Sequence, residues 1–368
     1  MSVKGLHKII YPFAPDQSGA ASVLYEMGGM IIICDAGGCA GNVCGFDEPR
    51  WLQTKSAVFS AGLRDMDAIL GRDDLLIDKI TRAADKLDAK FVAIIGTPVP
   101  ATIATDYRAL RRMAEKRTGL PVITVDSNGA QWYDLGIEKT YMECFSRFAR
   151  DVSADEIIPG SLGVIGITPL DSDSLSAGTK IREILTQGGA DKVICYGAGS
   201  SFEDFADAGR MEKNIVVSAA GLKAARYLND RFGTPYDCSD PLISEVRGGL
   251  PVDTQDLAGK KILIIHQQVR ANALREVFRN ETADIPARPE ITVASWFLMH
   301  DETAETGDIS IRDESDFLEL IGRGGFDMIV ADPSFRKAAG DFGGRYIDLP
   351  HFAVSGHFAG EESVRFYT

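Results

Sequence analysis

The sequence has no long apolar run and no concentration of positive charge. No stretch of its 368 residues approaches the roughly 18–20 apolar residues of a membrane span. The start, MSVKGLHKIIYPF, has neither the apolar segment nor the cleavage site of a signal peptide. Its 39 basic and 53 acidic residues give a net charge of −14, and the basic ones are scattered. We therefore expect a cytoplasmic protein whose main partner is neither nucleic acid nor a membrane.

Cysteine is also scarce. Six cysteines in a chain of this length are too few for a disulfide framework, and in a reducing compartment they would be thiols or metal ligands. Three of them are dispersed, and we expect these to be packing or surface thiols. The other three lie close together in the sequence. The dispersed cysteines are Cys144, Cys195 and Cys238, and the clustered ones are Cys34, Cys39 and Cys44.

Several nucleotide-binding and catalytic motifs are absent. The chain contains neither GxGxxG nor GxxxxGK[ST], so we expect it to bind neither NAD nor ATP directly. It also lacks HExxH and GxSxG. Residues 197–201, GAGSS, follow a predicted strand and open a predicted helix, so their N–H groups are candidates for holding an anion.

What the sequence does contain is a regular alternation of short apolar runs with amphipathic stretches. Runs such as IIIC, VAII, VIGI, ILII and MIVA are typical of strands buried on both faces of a parallel sheet. The alternation predicts an α/β fold with doubly wound sheets. We predict strands at 8–13, 30–35, 91–97, 121–127, 162–168, 192–197, 214–218, 261–267, 291–297, 328–332 and 345–349.

Two Pro- and Gly-containing segments interrupt this rhythm, at 154–161 and 247–260. They divide the chain into three predicted Rossmann-like domains, 1–155, 156–255 and 256–368. Ligands of such sheets lie beyond the carboxyl ends of the strands. We therefore expect the three domains to surround a central cavity.

The segment CDAGGCAGNVCGFDEP is the strongest local signal. Its thiols recur at five-residue spacing, and it contains Gly37, Gly38 and Gly41, whose lack of a side chain would let backbone N–H groups approach inorganic sulfide. The spacing matches no common zinc pattern. We predict that Cys39 and Cys44 bind a metal–sulfur cluster. Cys34 ends an apolar strand, and its alternative role is a buried free thiol.

Among the five histidines, His266 is the candidate for acid, base or ligand chemistry. It ends a predicted strand in IIHQQVR, where an imidazole would reach a cavity. The alternative is a capping or hydrogen-bonded residue. His351 and His357 flank a loop that contains Ser355. Arg270 is a candidate for binding substrate carboxylates, against a surface role.

The order of motifs resembles the nitrogenase component 1 family, which includes dark-operative protochlorophyllide reductase, cofactor-assembly scaffolds and a nickel-tetrapyrrole reductive cyclase. The resemblance rests on APDQSGAAS, DAGGCAG, FVAIIGTPVPATIATDYRAL and GLPVITVDSNGAQWYDLG in the first half. VIGITPLDSD, NIVVSAAGLKAARYLNDRFGTPY and KILIIHQQVRANALREVF continue it. It covers nearly the whole chain and implies three Rossmann-like domains around a cofactor or substrate.

The resemblance also implies three positions for cluster cysteines in the first domain. In this chain they hold Ser18, Cys39 and Thr97, so two of the three ligands are replaced. The simplest arrangement is a 4Fe-4S cluster bridging two chains, each supplying Cys39 and either Cys44 or Cys34. Asp35 or Asp47 could replace a thiolate, and a related partner subunit could supply the remaining ligands.

Two classes of function follow from the resemblance. The first is the catalytic component of a two-component reductase, which would receive electrons from an ATP-dependent iron–sulfur protein and pass them to a small-molecule substrate. That partner would dock on basic residues near the cysteines, with Arg50, Lys55 and Arg64 as candidates. The alternative is a non-catalytic scaffold or carrier for a metal cluster or cofactor precursor, or a clusterless binding protein. The chain would act as a homodimer or as a heterodimer with a related subunit.

Overall fold

The computed structural model describes residues 8–358, which contain thirteen strands, all paired in parallel. The strands are β1 (Met30–Ile33), β2 (Ala57–Ser60), β3 (Val92–Ile95), β4 (Val122–Val125), β5 (Ile158–Ile165), β6 (Lys192–Cys195), β7 (Met211–Val216), β8 (Tyr236–Cys238), β9 (Lys261–Ile265), β10 (Glu290–Ser295), β11 (Ile309–Ser310), β12 (Met328–Ala331) and β13 (Arg345–Asp348).

Helices connect the strands throughout. They are α1 (Asp16–Leu24), α2 (Gly38–Asn42), α3 (Asp65–Leu70), α4 (Asp73–Ala84), α5 (Pro98–Thr102), α6 (Tyr107–Thr118), α7 (Tyr133–Phe148), α8 (Ala177–Gln187), α9 (Phe202–Ala206), α10 (Leu222–Phe232), α11 (Ile243–Gly249), α12 (Thr254–Leu257), α13 (Gln268–Glu281), α14 (Glu314–Arg323), α15 (Arg336–Ala339) and α16 (Phe352–Ser355). Within residues 8–358, none of the helices is both long and apolar enough to cross a bilayer.

The strands form three separate sheets. Their orders are β2-β1-β3-β4, β6-β5-β7-β8 and β11-β10-β9-β12-β13. The predicted α/β class with parallel sheets is therefore confirmed. Each sheet lies inside one of the predicted domains, whose boundaries at 155/156 and 255/256 remain a prediction.

Alternate strand residues pack into different hydrophobic cores. In β1, Ile31 and Ile33 join one large core, while Met30 and Ile32 join another on the opposite face. The other two sheets divide their residues in the same way, and all three contribute to the large core. This follows from the two-residue period of a strand. The three sheets are therefore held together by one shared core, with a separate core on the far side of each.

Residues 8–13 form no strand, and the prediction of one there is wrong. The backbone N–H groups of Lys8, Ile9 and Ile10 instead donate to the carboxylate of Glu314, at 2.9–3.1 Å. A carboxylate at the start of α14 thus satisfies the backbone groups that a sheet would otherwise pair. The segment leads to α1, all nine residues of which are buried.

Helices α1 and α7 cross at contact distance. A Cβ atom on Gly136 would lie 1.8 Å from the carbonyl oxygen of Asp16, and one on Gly19 would lie 1.9 Å from that of Tyr133. Both obstacles are backbone atoms within helices, so the clash cannot be relieved by a side-chain rotation. Glycine at both positions is what allows the two helices to approach.

We expect Gly136→Ala to lower the free energy of unfolding by about 3 kcal/mol, because the helices must separate to admit the methyl group. Gly248→Ala, at a helical position where a Cβ would meet nothing within 4 Å, is the matched control and should be neutral or slightly stabilising. Urea unfolding of both variants measures the difference. Equal stability of Gly136→Ala and the wild type would contradict the close crossing.

Candidate functional site

The carboxyl ends of the three sheets meet at a buried group of polar side chains. Asp171 follows β5, Ser218 follows β7, His351 follows β13, and Tyr133 begins α7 after β4. His351 Nε2 lies 2.9 Å from Asp171 Oδ1 and 2.9 Å from Tyr133 Oη. Tyr133 also donates to Asp171, and Ser218 Oγ donates to Asp171 Oδ2 at 2.8 Å. We call these four residues the central cluster.

The central cluster occupies the place where three sets of strand ends converge. All four of its residues are buried. Burial, followed by the nearby Asp171, raises the pKa of Tyr133 well above its ordinary value, so its phenol is a neutral hydrogen-bond donor. Asp171 and His351 lie just beyond the predicted strands 162–168 and 345–349, where we expected ligands to lie. Tyr133 was missed, since a tyrosine at the start of a helix has no distinguishing pattern.

His266 lies against this cluster. Its ring stacks on that of His351 with centroids 4.2 Å apart, and its Nδ1 accepts a 2.8 Å hydrogen bond from the Gln267 N–H. Burial, together with electrostatic interactions with His351 and Arg270, lowers its pKa well below the ordinary value. The side chain is therefore a neutral imidazole, 2% exposed. Its predicted catalytic role stays a prediction.

Arg270 is not a surface residue. Its Nε donates to Asp240 at 2.7 Å, and one terminal nitrogen donates to both oxygens of Asp173 at 2.8 Å. Only 4% of the residue is exposed. The Arg270 guanidinium, which the sequence suggested as a binding group for substrate carboxylates, is thus paired with two carboxylates of the protein itself.

Asp134, next to Tyr133 in α7, links this helix to the third sheet. Its Oδ2 accepts a 2.6 Å hydrogen bond from the N–H of Leu298, which follows β10. Burial raises its pKa to about 6, although the hydrogen bond from Leu298 opposes the rise. The folded protein therefore holds a proton on Asp134 more tightly than the unfolded chain does.

A raised pKa in the folded state means that the favourable contribution of Asp134 is complete at low pH and is lost as pH rises through about 6. As the pH rises from 4 to 8, the wild type should lose this contribution and Asp134→Asn should not. We therefore expect the free energy of unfolding of Asp134→Asn, relative to that of the wild type, to rise by on the order of 2 kcal/mol over this range. Urea unfolding across this range measures the gain. Asp284→Asn, at an exposed position, is the matched control. A constant difference for Asp134→Asn would contradict the raised pKa.

Cys34 lies at the end of β1 in a hydrophobic core. It is 1% exposed, and its carbonyl accepts a 2.8 Å hydrogen bond from the Thr97 hydroxyl. Burial, then Asp35, raises the pKa of its thiol to about 12. The side chain has the surroundings of a protonated packing thiol.

Cys39 and Cys44 are half-buried on consecutive turns of the cysteine loop, which we define as residues 34–48. Cys39 is in α2, and Cys44 is in a single π-helical turn over Val43–Asp47. Burial raises the pKa of both thiols, with Asp35 adding to the rise at Cys39 and Glu48 at Cys44. Without a metal, therefore, both side chains are thiols rather than thiolates.

The residues at the two other positions that the resemblance implied also reach this loop. The Ser18 hydroxyl donates to Asp47 Oδ2 at 2.6 Å. The Thr97 hydroxyl donates to the Cys34 carbonyl of the loop at 2.8 Å. The Thr97 side chain also lowers the pKa of Cys39, against the larger effect of burial. Burial raises the pKa of Asp47 to about 6. Ser18, Cys39 and Thr97 thus lie around one loop, although they are far apart in sequence.

Gly37, Gly38 and Gly41 leave one face of the loop open. Gly37 has φ of +123°, a conformation that favours glycine. A Cβ at any of the three would meet nothing within 4 Å. The loop is held from inside, because Asp35 Oδ2 accepts a 2.8 Å hydrogen bond from the Ala40 N–H.

The cysteine loop has the right ligand type for an iron–sulfur cluster but only half the usual number of ligands. Within residues 8–358 there is no group of three or more His, Cys, Asp or Glu side chains placed to hold a metal ion. The cysteine loop of one chain offers two half-buried thiols, Cys39 and Cys44, while a 4Fe-4S cluster is usually held by four. The residues suit a cluster whose ligands come from two chains.

A cavity of about 1180 Å³ lies beside the cysteine loop. Asn42, Phe46 and Asp47 of the loop line it, together with residues of segments 11–17 and 350–358. Gln17 is 5% exposed, and its amide oxygen has no hydrogen-bond partner among the residues described. The lining is mostly apolar and aromatic, which suits an organic molecule held by few polar contacts.

One polar contact links the cavity to the central cluster. Ser355 lines the cavity and donates to Asp332 Oδ2 at 2.9 Å. The same oxygen accepts a 2.7 Å hydrogen bond from the backbone N–H of His351. The wall of the cavity is thus fixed to the residues on which the three sheets meet.

Arg50 binds the cysteine loop to the second sheet. Its guanidinium donates to Glu48 at 2.7 Å, to Glu26 at 3.0 Å, to the Ser22 carbonyl at 2.6 Å and to the Gly197 carbonyl at 3.0 Å. Burial lowers its pKa, but Glu48 and Glu26 outweigh this and the net pKa is raised. Arg50 is 7% exposed, so its predicted place in a docking patch is wrong.

The fold is that of a known class of protein. Residues 16–243 match the family described as nitrogenase component 1 type oxidoreductase. The chain belongs to this family, which the predicted resemblance had named.

Two proteins described as nitrogenase iron-molybdenum cofactor biosynthesis protein NifE are among its relatives. That of Bradyrhizobium diazoefficiens is 24% identical over 180 residues, which is 48% of this chain and 32% of the relative. That of Clostridium pasteurianum is 26% identical over 179 residues, 48% of this chain and 38% of the relative. The matched region therefore spans about a third of each of these proteins.

Solved structures share the fold. The structure described as nitrogenase Cp1 at pH 6.5 has a TM-score of 0.71 and 12% identity, and the match covers 100% of this chain and 90% of that one. Nitrogenase Cp1 at pH 5 gives a TM-score of 0.68 and 14% identity over 98% and 88% of the two chains.

Proposed function

We propose that this chain is the catalytic component of a two-component, nitrogenase-like reductase and that two chains share a 4Fe-4S cluster through Cys39 and Cys44. The observation that carries the proposal is the gathering of Ser18, Cys39 and Thr97 around one open loop with two accessible thiols. That loop borders a cavity large enough for an organic substrate. When bound there by Cys39 and Cys44, a cluster would supply one-electron transfer.

The chain's own residues prepare this site. Asp35 fixes the start of α2 through the Ala40 N–H, and Asp47 is fixed by Ser18. The raised pKa values of the Cys39 and Cys44 thiols mean that both must lose a proton when they bind a metal cluster. Cluster binding should therefore weaken as pH falls. The apolar walls of the adjoining cavity keep water from a bound substrate.

We infer that two copies of this chain meet at the open face of the cysteine loop, and a related subunit in place of the second copy is the alternative. An ATP-dependent iron–sulfur reductase would deliver the electrons. Lys55 and Arg64 remain candidates for its docking surface. We place the complex in the cytoplasm.

A scaffold for a cofactor precursor is the second candidate, and the names of the NifE relatives favour it. The cysteines outside the loop, Cys144, Cys195 and Cys238, are dispersed in the sequence and form no second cluster of neighbouring thiols there. Burial raises the pKa of Cys195 to about 11 and, together with Glu302, that of Cys238 to about 11. Neither belongs to a metal-binding group among the residues described.

Electron transfer separates the two candidates. The protein is purified without oxygen and mixed with its cognate reductase, dithionite and MgATP, and the reduction of its iron is followed by EPR. The proposal predicts reduction that requires MgATP and is absent in Cys39→Ser. Transfer of iron to an acceptor protein without MgATP-dependent reduction would favour the scaffold instead.

A further inference from the structure

A second, smaller cavity lies where α8 begins. It has a volume of about 140 Å³, and we call it the α8 pocket. Thr168, Ser172 and Ser174 line it from the segment that follows β5, and Arg182 lines it from α8. Glu26 and Arg50 form the opposite side. Most of its surroundings are therefore hydroxyl, amide and charged groups.

The first turn of α8 presents unpaired donors to this pocket. Gly178 and Thr179 both line it, and their backbone N–H groups donate to no acceptor within residues 8–358. The residue before the helix, Ser176, provides no side-chain cap. Free N–H groups at the start of an eleven-residue helix favour a negative charge.

A buried hydroxyl gives a second and independent sign of a ligand. Thr168 is 0% exposed and lines the pocket, yet its Oγ1 has no hydrogen-bond partner in the part of the chain described. Buried polar groups are nearly always hydrogen-bonded. The carbonyl of the same residue does have a partner, since it accepts a 2.7 Å hydrogen bond from Ser172 Oγ.

The charges around the pocket also favour an anion. Arg182 donates to the Ala198 carbonyl at 2.9 Å and makes no ion pair with a described residue. Arg50 is already held by Glu48 and Glu26. Among the described residues, Glu26 is the only acid that lines the pocket. Because Glu48 and Glu26 neutralise Arg50, Arg182 is the cation left to attract an anion. The whole chain carries −14.

The neighbouring segment 197–201 does not itself bind the anion. The Gly199 N–H, a predicted anion-binding group, donates to Glu26 Oε2 at 2.7 Å. Ser200 Oγ accepts from the Gly197 N–H at 3.0 Å. Carboxylate and hydroxyl groups of the protein thus satisfy this loop, and the free donors are those of α8.

We propose that the α8 pocket binds a small free oxyanion, phosphate or sulfate, through the first-turn N–H groups of α8, the Thr168 hydroxyl and the Arg182 guanidinium. The volume suits a single tetrahedral ion. The bound ion would lie between the segment that follows β5 and the opposite side of the pocket, formed by Glu26, which follows α1, and Arg50, which follows the cysteine loop. The site uses no residue of the proposed cluster, so either proposal can fail without the other.

Isothermal titration with sodium phosphate at constant ionic strength tests the site. We expect saturable binding of phosphate and of sulfate by the wild type. Arg182→Gln should weaken phosphate binding at least tenfold, and Thr168→Val at least threefold. Lys180→Gln, which alters a cation of the same helix paired with Glu245, should change it less than twofold.

Thr168→Val keeps the shape of a buried side chain, so it serves as the second variant if Arg182→Gln does not fold. The proposal is overturned if the wild type shows no saturable binding of phosphate, or if Thr168→Val binds phosphate as tightly as the wild type. Glycerol 3-phosphate distinguishes a site for a free oxyanion from a site for a phosphate ester. Equal affinity for this ester and for phosphate would overturn the assignment to a free ion.

Discussion

Arg50→Met is expected to lower the free energy of unfolding by about 3–5 kcal/mol, the largest loss of stability we predict for a single change. The substitution leaves Glu48, whose side chain is 1% exposed, with a buried and uncompensated charge. It also removes the hydrogen bonds to the Ser22 and Gly197 carbonyls. The cysteine loop would thereby lose its connection to the second sheet.

Equilibrium unfolding in urea at pH 7 measures this loss. Arg64→Met is the matched control, because Arg64 is an exposed arginine near the same loop and should change stability by no more than about 0.5 kcal/mol. If Arg50→Met and Arg64→Met were equally stable, the buried contacts of Arg50 would contribute nothing. The structural account of the loop would then be wrong.

Cys39→Ser is expected to abolish iron binding, the largest functional effect we predict. A hydroxyl is a poor substitute for a thiolate ligand of iron, and no other described residue completes a set of three ligands. Protein purified without oxygen should contain about four iron atoms per two chains in the wild type and less than a tenth of that in the variant.

Cys238→Ser is the control for this measurement. Cys238 is a partly exposed thiol outside the loop, so its replacement should leave the iron content unchanged. Equal loss of iron from both variants would point to general destabilisation. Full retention of iron by Cys39→Ser would remove Cys39 from the ligand set.

Strand positions were predicted best where the sequence has long apolar runs. The strands predicted at 30–35, 91–97 and 261–267 contain β1, β3 and β9, because a run buried on both faces has no competing pattern. The edge strands β2, β8 and β11 were missed. They have two to four residues and are partly exposed, so they leave no such run.

The failures in the candidate site have one physical cause. The surroundings of a charge depend on residues that are distant in sequence, as Arg50 shows by donating to a carbonyl 147 positions away. His351 was recognisable as a residue after a strand, but nothing local indicated that Asp171, 180 positions earlier, would hold its imidazole. The glycine-rich cysteine segment was visible because its residues are neighbours in the chain.

Native mass spectrometry of the oxygen-free wild-type protein, combined with iron and sulfide analysis, decides whether two chains share a 4Fe-4S cluster. We expect two chains that together carry four iron and four sulfide ions. A single chain without iron, or one that carries a complete cluster by itself, would contradict the shared cluster.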